Sequence, residues 1–452
     1  MKSNIYKKSI SYLRDRKVFI REKYTKKIKK YSDSLNILVL QWQRRVGKSY
    51  TLIWFIKDHN INLDSVFYIN KELDINEEIQ NQKDLNNLFI EVSNSKNIKY
   101  IIIDEIQNIK NWEKFILWVY SEKKYKIIIT WSNSKLLSSE LSTLLTWRFM
   151  TINIFPFDYK EFLEIKEYKI KNIENKLNSK KERFWDMYQE LLEKVKEIRT
   201  NEKKYYQRTT RRIPKYFKEY ITYGWMPEIL FLQKNELKNN YIQNTLNSIL
   251  LKDIVDRYWI KNIKLLEKIL QFIQSEVGNI ISITNISNYV KNIFKKEVSL
   301  TTISNYIKYL TYPYIINEVQ RYDIKWKKIL DYNSKYYFSD IWIRNIYWFS
   351  FANDIWKILE NLVFIKLISS WYKVYVWEVW WNEIDFIALK WWEKLYIQVC
   401  YLLSSDNVIK REFWNLLKIK DNYEKIVLSL DDTFWNTYEG VKNLNLIDFI
   451  LR

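Results

Sequence analysis

The sequence predicts an α/β protein whose first domain is a parallel sheet covered by helices. Two stretches and their spacing carry that prediction. The apolar run Ile37 to Leu40 reads as a buried strand, and it leads through Gly47-Lys48-Ser49 into an apolar-periodic helix. Further on, YIIIDEIQ (Tyr100 to Gln107) is a second buried strand that delivers two carboxylates at its end. Strands at Ile37–Leu40, Ser65–Ile69, Tyr100–Ile103, Lys126–Thr130 and Phe149–Ile154 alternate with helical stretches such as Asp84–Ser93 and Trp112–Ser121. That alternation implies a parallel sheet, with ligands at the carboxyl ends of its strands.

In chain order, residues 1–35 read as a basic helical lead-in, with a charged end (KKIKKYSDS), that is expected to be solvated. Residues 36–165 hold the strand–loop–helix unit. QWQRRVGKS fits the phosphate-loop pattern G-x-x-x-x-G-K-[ST] at every position but the first, where Trp42 replaces glycine. Glycine belongs there because the backbone curls tightly round the phosphates, and an indole is expected to project into or across the nucleotide's space. Trp42, Gln43, Arg44, Arg45, Val46, Gly47, Lys48, Ser49 and Tyr50 are the candidate residues for binding ATP. Ser49 and Asp104 are the candidate Mg2+ ligands, Asp104 through water, and Glu105 is placed to orient an attacking water. Lys48 is a catalytic candidate as the phosphate-binding cation. Ser132 and Asn133 end the next strand, where a polar group senses a γ-phosphate; plain turn chemistry explains them equally well. Arg148 is a candidate for neutralising transition-state charge in cis or in trans, with a surface arginine as the alternative.

These runs, together with IIITWSNSKLLSSELSTLLTWRF and INIFPFDYKEFL, resemble the AAA-superfamily ATPases of bacteria and archaea that carry a C-terminal domain of unknown function. The resemblance covers nearly the whole chain apart from a central insertion. It implies a cytoplasmic protein that binds and hydrolyses ATP. The family carries glycine where this chain has Trp42, Trp131 and Trp147.

That substitution is general. The chain has 4 Gly and 21 Trp, where ordinary usage of ~7% would supply roughly 32 Gly. Trp also occupies sites that favour glycine: Trp391-Trp392 and Trp380-Trp381 beside strands, Trp371 after a helix, Trp326 in DIKWKK, Trp225 in YGWMPE and Trp131 at a strand end. One reading is that UGA codons decoded as glycine have been rendered as Trp. The other is a Trp-rich protein with core or stacking indoles. Trp112, at a helix start, reads as a true Trp; Trp54, Trp118, Trp185 and Trp259 fit either reading.

Residues 166–259 read as a charge-dense helical linker or insertion and a lid-like region. Tyr205, Tyr206, Arg208, Arg211 and Arg212 could touch a nucleic-acid backbone, and a solvated helical hairpin is the competing reading. Residues 260–331 read as a winged-helix-like module of three helices and a hairpin, with Ile303, Tyr306, Ile307 and Leu310 inward and Thr302, Asn305 and Lys308 outward. Residues 332–452 read as an α/β domain of the PD-(D/E)xK type, with Glu360 on a helix and Asp385 on a strand. There Gln398 and Cys400 replace the third-motif acid and lysine, so cleavage is not expected. Residual metal binding by Glu360, Glu383 and Asp385 competes with a buried polar cluster that holds the hairpin.

A net charge of +21 points to nucleic acid or another polyanion, although an A/T-rich gene also produces it. DNA is therefore a candidate partner beside ATP and an unknown protein. The single Cys400 excludes an internal disulfide and fits a reducing compartment. No run reaches membrane-span length, the start lacks the apolar core of a signal peptide, and the sole histidine, His59, leaves zinc and Cys/His chemistry without ligands. Two functional readings stand: an ATPase switch, or a nucleotide-binding interaction module with little turnover.

Overall fold

Five Ile-, Val- and Phe-rich segments form the expected parallel sheet: β1 (Ile37–Gln41), β2 (Val66–Asn70), β3 (Tyr100–Asp104), β4 (Lys126–Trp131) and β5 (Phe149–Asn153). In the computed structural model, which describes residues 2–15, 21–34, 37–134, 148–167, 214–323, 328–348, 351–379, 382–403, 405–431 and 437–452, their order is β2-β3-β4-β1-β5. Every residue of β1, β2 and β3 is buried, which is why these strands are apolar throughout and do not alternate. The register pairs Gln41 with Trp131 and Ile103 with Ile129, so the carboxyl ends of β1, β3 and β4 lie side by side. Helices α3 (Lys48–Asp58), α4 (Gln82–Ser95) and α5 (Trp112–Ser121) follow the strands. A reciprocal cap between Asn81 and Asp84 starts α4.

This sheet belongs to one of two compact units, made of Met1–Pro156, Asn247–Ile263 and Ser304–Ile316. The expected solvated lead-in is corrected here. It forms α1 (Lys2–Asp15) and α2 (Glu22–Ser32), which bury Ile5, Tyr6, Ile10 and Leu13, then Tyr24 and Ile28. Tyr6 Oη donates to the Val66 carbonyl (3.0 Å), and Tyr24 Oη accepts the Phe155 N–H (3.0 Å). The Lys-rich outer faces conceal an apolar stripe at helical spacing.

The second unit comprises Phe157–Leu246, Lys264–Ile303 and Asn317–Arg452. Its eight strands run in the order β12-β13-β11-β10-β9-β8-β6-β7. They are β6 (Ile316–Asp323), β7 (Lys328–Phe338), β8 (Lys373–Val379), β9 (Asn382–Lys390), β10 (Glu393–Val399), β11 (Glu424–Ser429), β12 (Thr437–Tyr438) and β13 (Val441–Asn445). β8, β9 and β10 form an antiparallel meander after the helix Phe351–Ser369, and the helix Asp406–Leu417 crosses over to β11, parallel to β10. The helices Ile263–Ser275, Ile283–Phe294 and Leu300–Thr311 are present as elements. The hairpin expected to complete a separate module with them is the edge of this larger sheet, with β6 parallel to β8 at Arg321 and Val376. Along Leu300–Thr311, Ile303, Ile307 and Leu310 are buried, Asn305 and Lys308 are exposed, and Thr302 is partly covered.

A buried ammonium fixes the centre of this unit. Lys335 on β7 lies 3.0 Å from Glu360, 2.5 Å from Glu383 and 3.7 Å from Asp385. The three carboxylates hold it charged against a burial that would discharge it, while burial and the Glu360 charge push the Asp385 carboxyl well up. Gly278, at φ +83°, leaves no room for a side chain, since a Cβ there would lie 2.5 Å from Glu360 Oε2. The metal-binding alternative is thereby corrected: among the described residues no three or more His, Cys, Asp or Glu side chains are grouped so as to hold a metal ion, and in this cluster Lys335 supplies the positive charge. Gln398 and Cys400 turn to other partners. Gln398 donates to Glu412 (3.1 Å), and Cys400 joins an apolar cluster with Phe413 and Leu416.

Trp147, Trp326, Trp380 and Trp381, and the basic stretch with Tyr205, Tyr206, Arg208, Arg211 and Arg212, lie outside the described residues. Among the described residues no helix is long and apolar enough to cross a membrane. Lys335→Met is expected to lower stability by about 3–5 kcal/mol in urea unfolding, because it strands buried carboxylates, and adding Asp385→Asn should recover part of the loss. Unchanged stability in the single variant would show that the cluster does not depend on its lysine.

Candidate nucleotide-binding site

β1 ends at Gln41, and the chain turns through Trp42 (φ +155°), Arg45 (φ +64°) and Gly47 (φ +92°) before α3 starts at Lys48. Gly47 is what lets the strand pass so abruptly into a helix. The first-turn N–H groups of α3, from Lys48 to Tyr50, therefore open onto the loop, a ready anion site. Lys48 is buried. Its ammonium donates to the Trp42 carbonyl (3.0 Å) and the Gln43 carbonyl (3.1 Å), and lies 3.3 Å from the Glu105 carboxylate. The Trp42 indole, expected to lie across the nucleotide's space, packs instead on Phe155 and Tyr314, with ring centroids 4.4 Å away in each case.

The acids come from β3. Asp104 is fully buried and accepts hydrogen bonds from Ser49, Thr130 and Tyr68 (3.4 Å for Tyr68). Burial, aided by the Glu105 charge, pushes its carboxyl up to about 6 against those hydrogen bonds. Glu105 sits in the left-handed region (φ +54°), and its N–H donates to Thr130 Oγ1 (2.8 Å). Burial alone would raise the Glu105 carboxyl, but Lys48, Arg44, Ser132 and Gln107 hold it below the usual range. Gln107 also donates to Ser132 Oγ (2.9 Å), so the ends of β3 and β4 are tied together.

The structure thus brings together Lys48, Ser49, Asp104, Glu105 and Ser132, as the motif spacing anticipates. Asn133 is buried at the same strand end, beside the Tyr258 hydroxyl. Arg148 in cis is corrected. Its carbonyl accepts the N–H of Ile37, at the amino end of β1, and its guanidinium lies 5.9 Å over Tyr120. A five-residue strand, ~17 Å at ~3.3 Å per residue, separates it from the loop.

Three contributors escape sequence reading. Thr130 bridges both acids, and its position in IIIT is the only signal it leaves. Asp253 pairs with Arg44 of the loop (2.8 Å), and Glu72 lies 3.3 Å from the same guanidinium. No local motif points to either carboxylate.

The residues fit ATP and Mg2+. Ser49 and Asp104 offer the hydroxyl and carboxylate that such an ion takes alongside phosphate oxygens and water. The Gln43 carboxamide is buried with neither polar atom hydrogen-bonded among the described residues, and an incoming polar ligand would satisfy it.

Residues 34–163 match the model of an AAA domain, and residues 214–348 match a domain of unknown function (DUF8612). An uncharacterised protein of Haemophilus influenzae is 29% identical over 436 residues, 96% of this chain and 98% of that one. An uncharacterised protein of Methanocaldococcus jannaschii is 30% identical over 378 residues, 82% of this chain and 76% of that one. Among solved structures, a Walker-type ATPase of Pyrococcus abyssi is 14% identical with a TM-score of 0.44, covering 73% of this chain and 95% of that one. The Aeropyrum pernix ORC1 protein, solved in complex with DNA, is 11% identical with a TM-score of 0.33, covering 73% of this chain and 93% of that one.

Asp104 has a pH signature. Its folded-state value near 6 lies above the ordinary 3.8, so its contribution to stability is full below ~3.8 and lost as pH rises through ~6. Asp104→Asn cannot ionise, so its stability relative to the unaltered protein should rise by roughly 2 kcal/mol between pH 4 and pH 7. A difference that does not change with pH in thermal melts would rule out a buried, strained carboxylate.

Proposed function

Because the chain belongs to the same family as the uncharacterised Methanocaldococcus jannaschii protein and carries an ATP-binding AAA-type P-loop domain, we propose that it is a Mg2+-dependent ATPase that works as a switch. One observation carries this reading: the Ser49–Asp104 hydrogen bond and the Lys48–Glu105 pair converge where α3 opens. When bound, Mg2+ offsets the charge of the phosphate oxygens as the terminal phosphate is transferred to water. Ser49 and Asp104 would hold it, Asp104 through water, and the α3 N–H groups would cradle the phosphates. Lys48 moves from the loop carbonyls and Glu105 onto phosphate oxygen. Glu105, released from that ion pair, orients the attacking water. Asn133 reads the terminal phosphate. Arg148 would act only in trans. In this scheme the nucleotide state alters the helices Ile263–Ser275, Ile283–Phe294 and Leu300–Thr311 and a PD-(D/E)xK-like domain that does not cut.

Glu105→Gln should retain ATP binding and lose turnover by about 100-fold or more, the size of a removed water-orienting group. Asp104→Ala should abolish turnover. Hydrolysis rates unchanged in both variants would mean that any activity seen is contamination.

A second reading, a nucleotide-binding interaction module with little turnover, draws on Trp42. It extends to DNA through the exposed Asn305 and Lys308 and the +21 charge. Backbone conformation favours a further explanation of the same residue. All four glycines have positive φ, and so do Trp42, Trp259, Trp371 and Trp391, a conformation that strains an indole-bearing residue. Trp391 and Trp392 are 93% and 94% exposed on the two-residue turn between β9 and β10. Trp131 and Trp225, by contrast, are buried and have no positive φ. We therefore propose that the positive-φ Trp are glycine in the natural chain, decoded from UGA. Peptide mass spectrometry across Ile37 to Lys57 of the host-made protein should find glycine at 42, and Trp42→Gly should tighten ATP binding. Tryptophan at 42 with no gain from the substitution would leave the interaction-module reading ahead.

A further inference from the structure

We infer that Asp253 is a positioning residue of the phosphate loop, acting through Arg44 to hold the loop in its phosphate-binding shape. The inference rests on the ATP-binding reading of the same loop. Arg44 lies at the loop's centre, next to Arg45, which is in the left-handed region (φ +64°). Such backbone persists only where surrounding contacts over-determine it. The contact at this point is the Arg44 guanidinium, whose Nε lies 2.8 Å from Asp253 Oδ2 and 3.1 Å from Oδ1, with side chains only 18% and 6% exposed. Glu72 lies 3.3 Å from another guanidinium nitrogen, so the cation is gripped by two carboxylates. The pair is largely buried and charge-assisted, so little water competes for it, while burial pushes the Asp253 carboxyl up to about 6 against the Arg44 charge.

Asp253 reaches the loop from 209 residues away in sequence, yet within the same compact unit. It sits on a π-helical stretch, Ile249–Val255, a geometry that concentrates at functional sites. The same segment touches the other side of the site. Tyr258 lies beside Asn133 and stacks on Tyr309 at 4.3 Å. The stretch Asn247–Ile263 therefore grips both the loop after β1 and the end of β4, and Asp253 is its charged link.

The test uses the full-length protein with MANT-ATP and Mg2+ titrations, alongside initial rates of ATP hydrolysis. Asp253→Asn should raise KM for ATP and weaken MANT-ATP binding by about ten- to hundredfold, the size of losing a hydrogen bond between charged groups. The loss should fall more heavily on KM than on kcat, because Asp253 touches the loop through Arg44 and not the reacting atoms. Arg44→Gln should match or exceed that loss, and Asp253→Asn added to Arg44→Gln should cost little more, a non-additivity that two residues acting independently would not show. If Asp253→Asn does not fold, Asp253→Glu, which keeps the charge one methylene further out, should bind only a few-fold more weakly. Equal affinity in the unaltered and Asp253→Asn proteins, or fully additive losses in the well-folded double variant, would overturn the positioning role alone. No MANT-ATP binding by the unaltered protein would overturn the nucleotide reading and this role with it.

Discussion

The Lys48 ammonium, 3.0 Å and 3.1 Å from two loop carbonyls and 3.3 Å from Glu105, is the charge about which the candidate site is arranged. Without it, Glu105 would be a second buried carboxylate beside Asp104, and two uncompensated acids at one sheet edge would not both stay ionised. With it, the two acids separate in character. Glu105 is held below the usual carboxylate range, whereas burial pushes Asp104 up to about 6. A pair of titratable groups driven apart by their surroundings is what assignment of distinct chemical roles requires. Thr130 completes the arrangement by accepting from the Glu105 N–H while donating to Asp104.

The second unit solves a similar problem with a different outcome. Lys335, on β7, is also a buried lysine among carboxylates, but its partners lie on two other elements, Glu360 on the helix Phe351–Ser369 and Glu383 and Asp385 on β9. Gly278 lets the backbone close over Glu360, although the Glu383 side chain stays 45% exposed. The ammonium therefore serves as the internal counter-ion of a packed core. In the first unit the corresponding cation faces a glycine-hinged loop and the free N–H groups of a helix start. The same pairing of lysine and carboxylate thus occurs inside a core in one unit and beside a helix start suited to anions in the other.

Much of the first unit was legible because its signals are local. Apolar runs marked all five strands to within one or two residues, most clearly β1, β2 and β3, since strands covered on both faces must be apolar throughout. The Gly47-Lys48-Ser49 triplet and the Asp104-Glu105 pair marked the site. The N-terminal helices were misread because their Lys-rich outer faces dominate the composition. β6 and β7 were assigned to a separate module because a hairpin's partner across a sheet leaves no local trace; β6 lies beside β8 with some fifty intervening residues.

The sequence by itself determined the strand–loop–helix unit, the acids at the end of β3 and the anomalous use of Trp, because each depends on periodicity or spacing within one short stretch. Only the tertiary structure decided that Arg148 lies at the opposite end of its strand, that Trp42 turns onto Phe155 and Tyr314, and that Lys335 fills the carboxylate cluster. It alone brought Asp253 to Arg44. Ion pairs and aromatic contacts between distant segments are specified by where whole elements pack, and burial makes them strong only after that packing is complete.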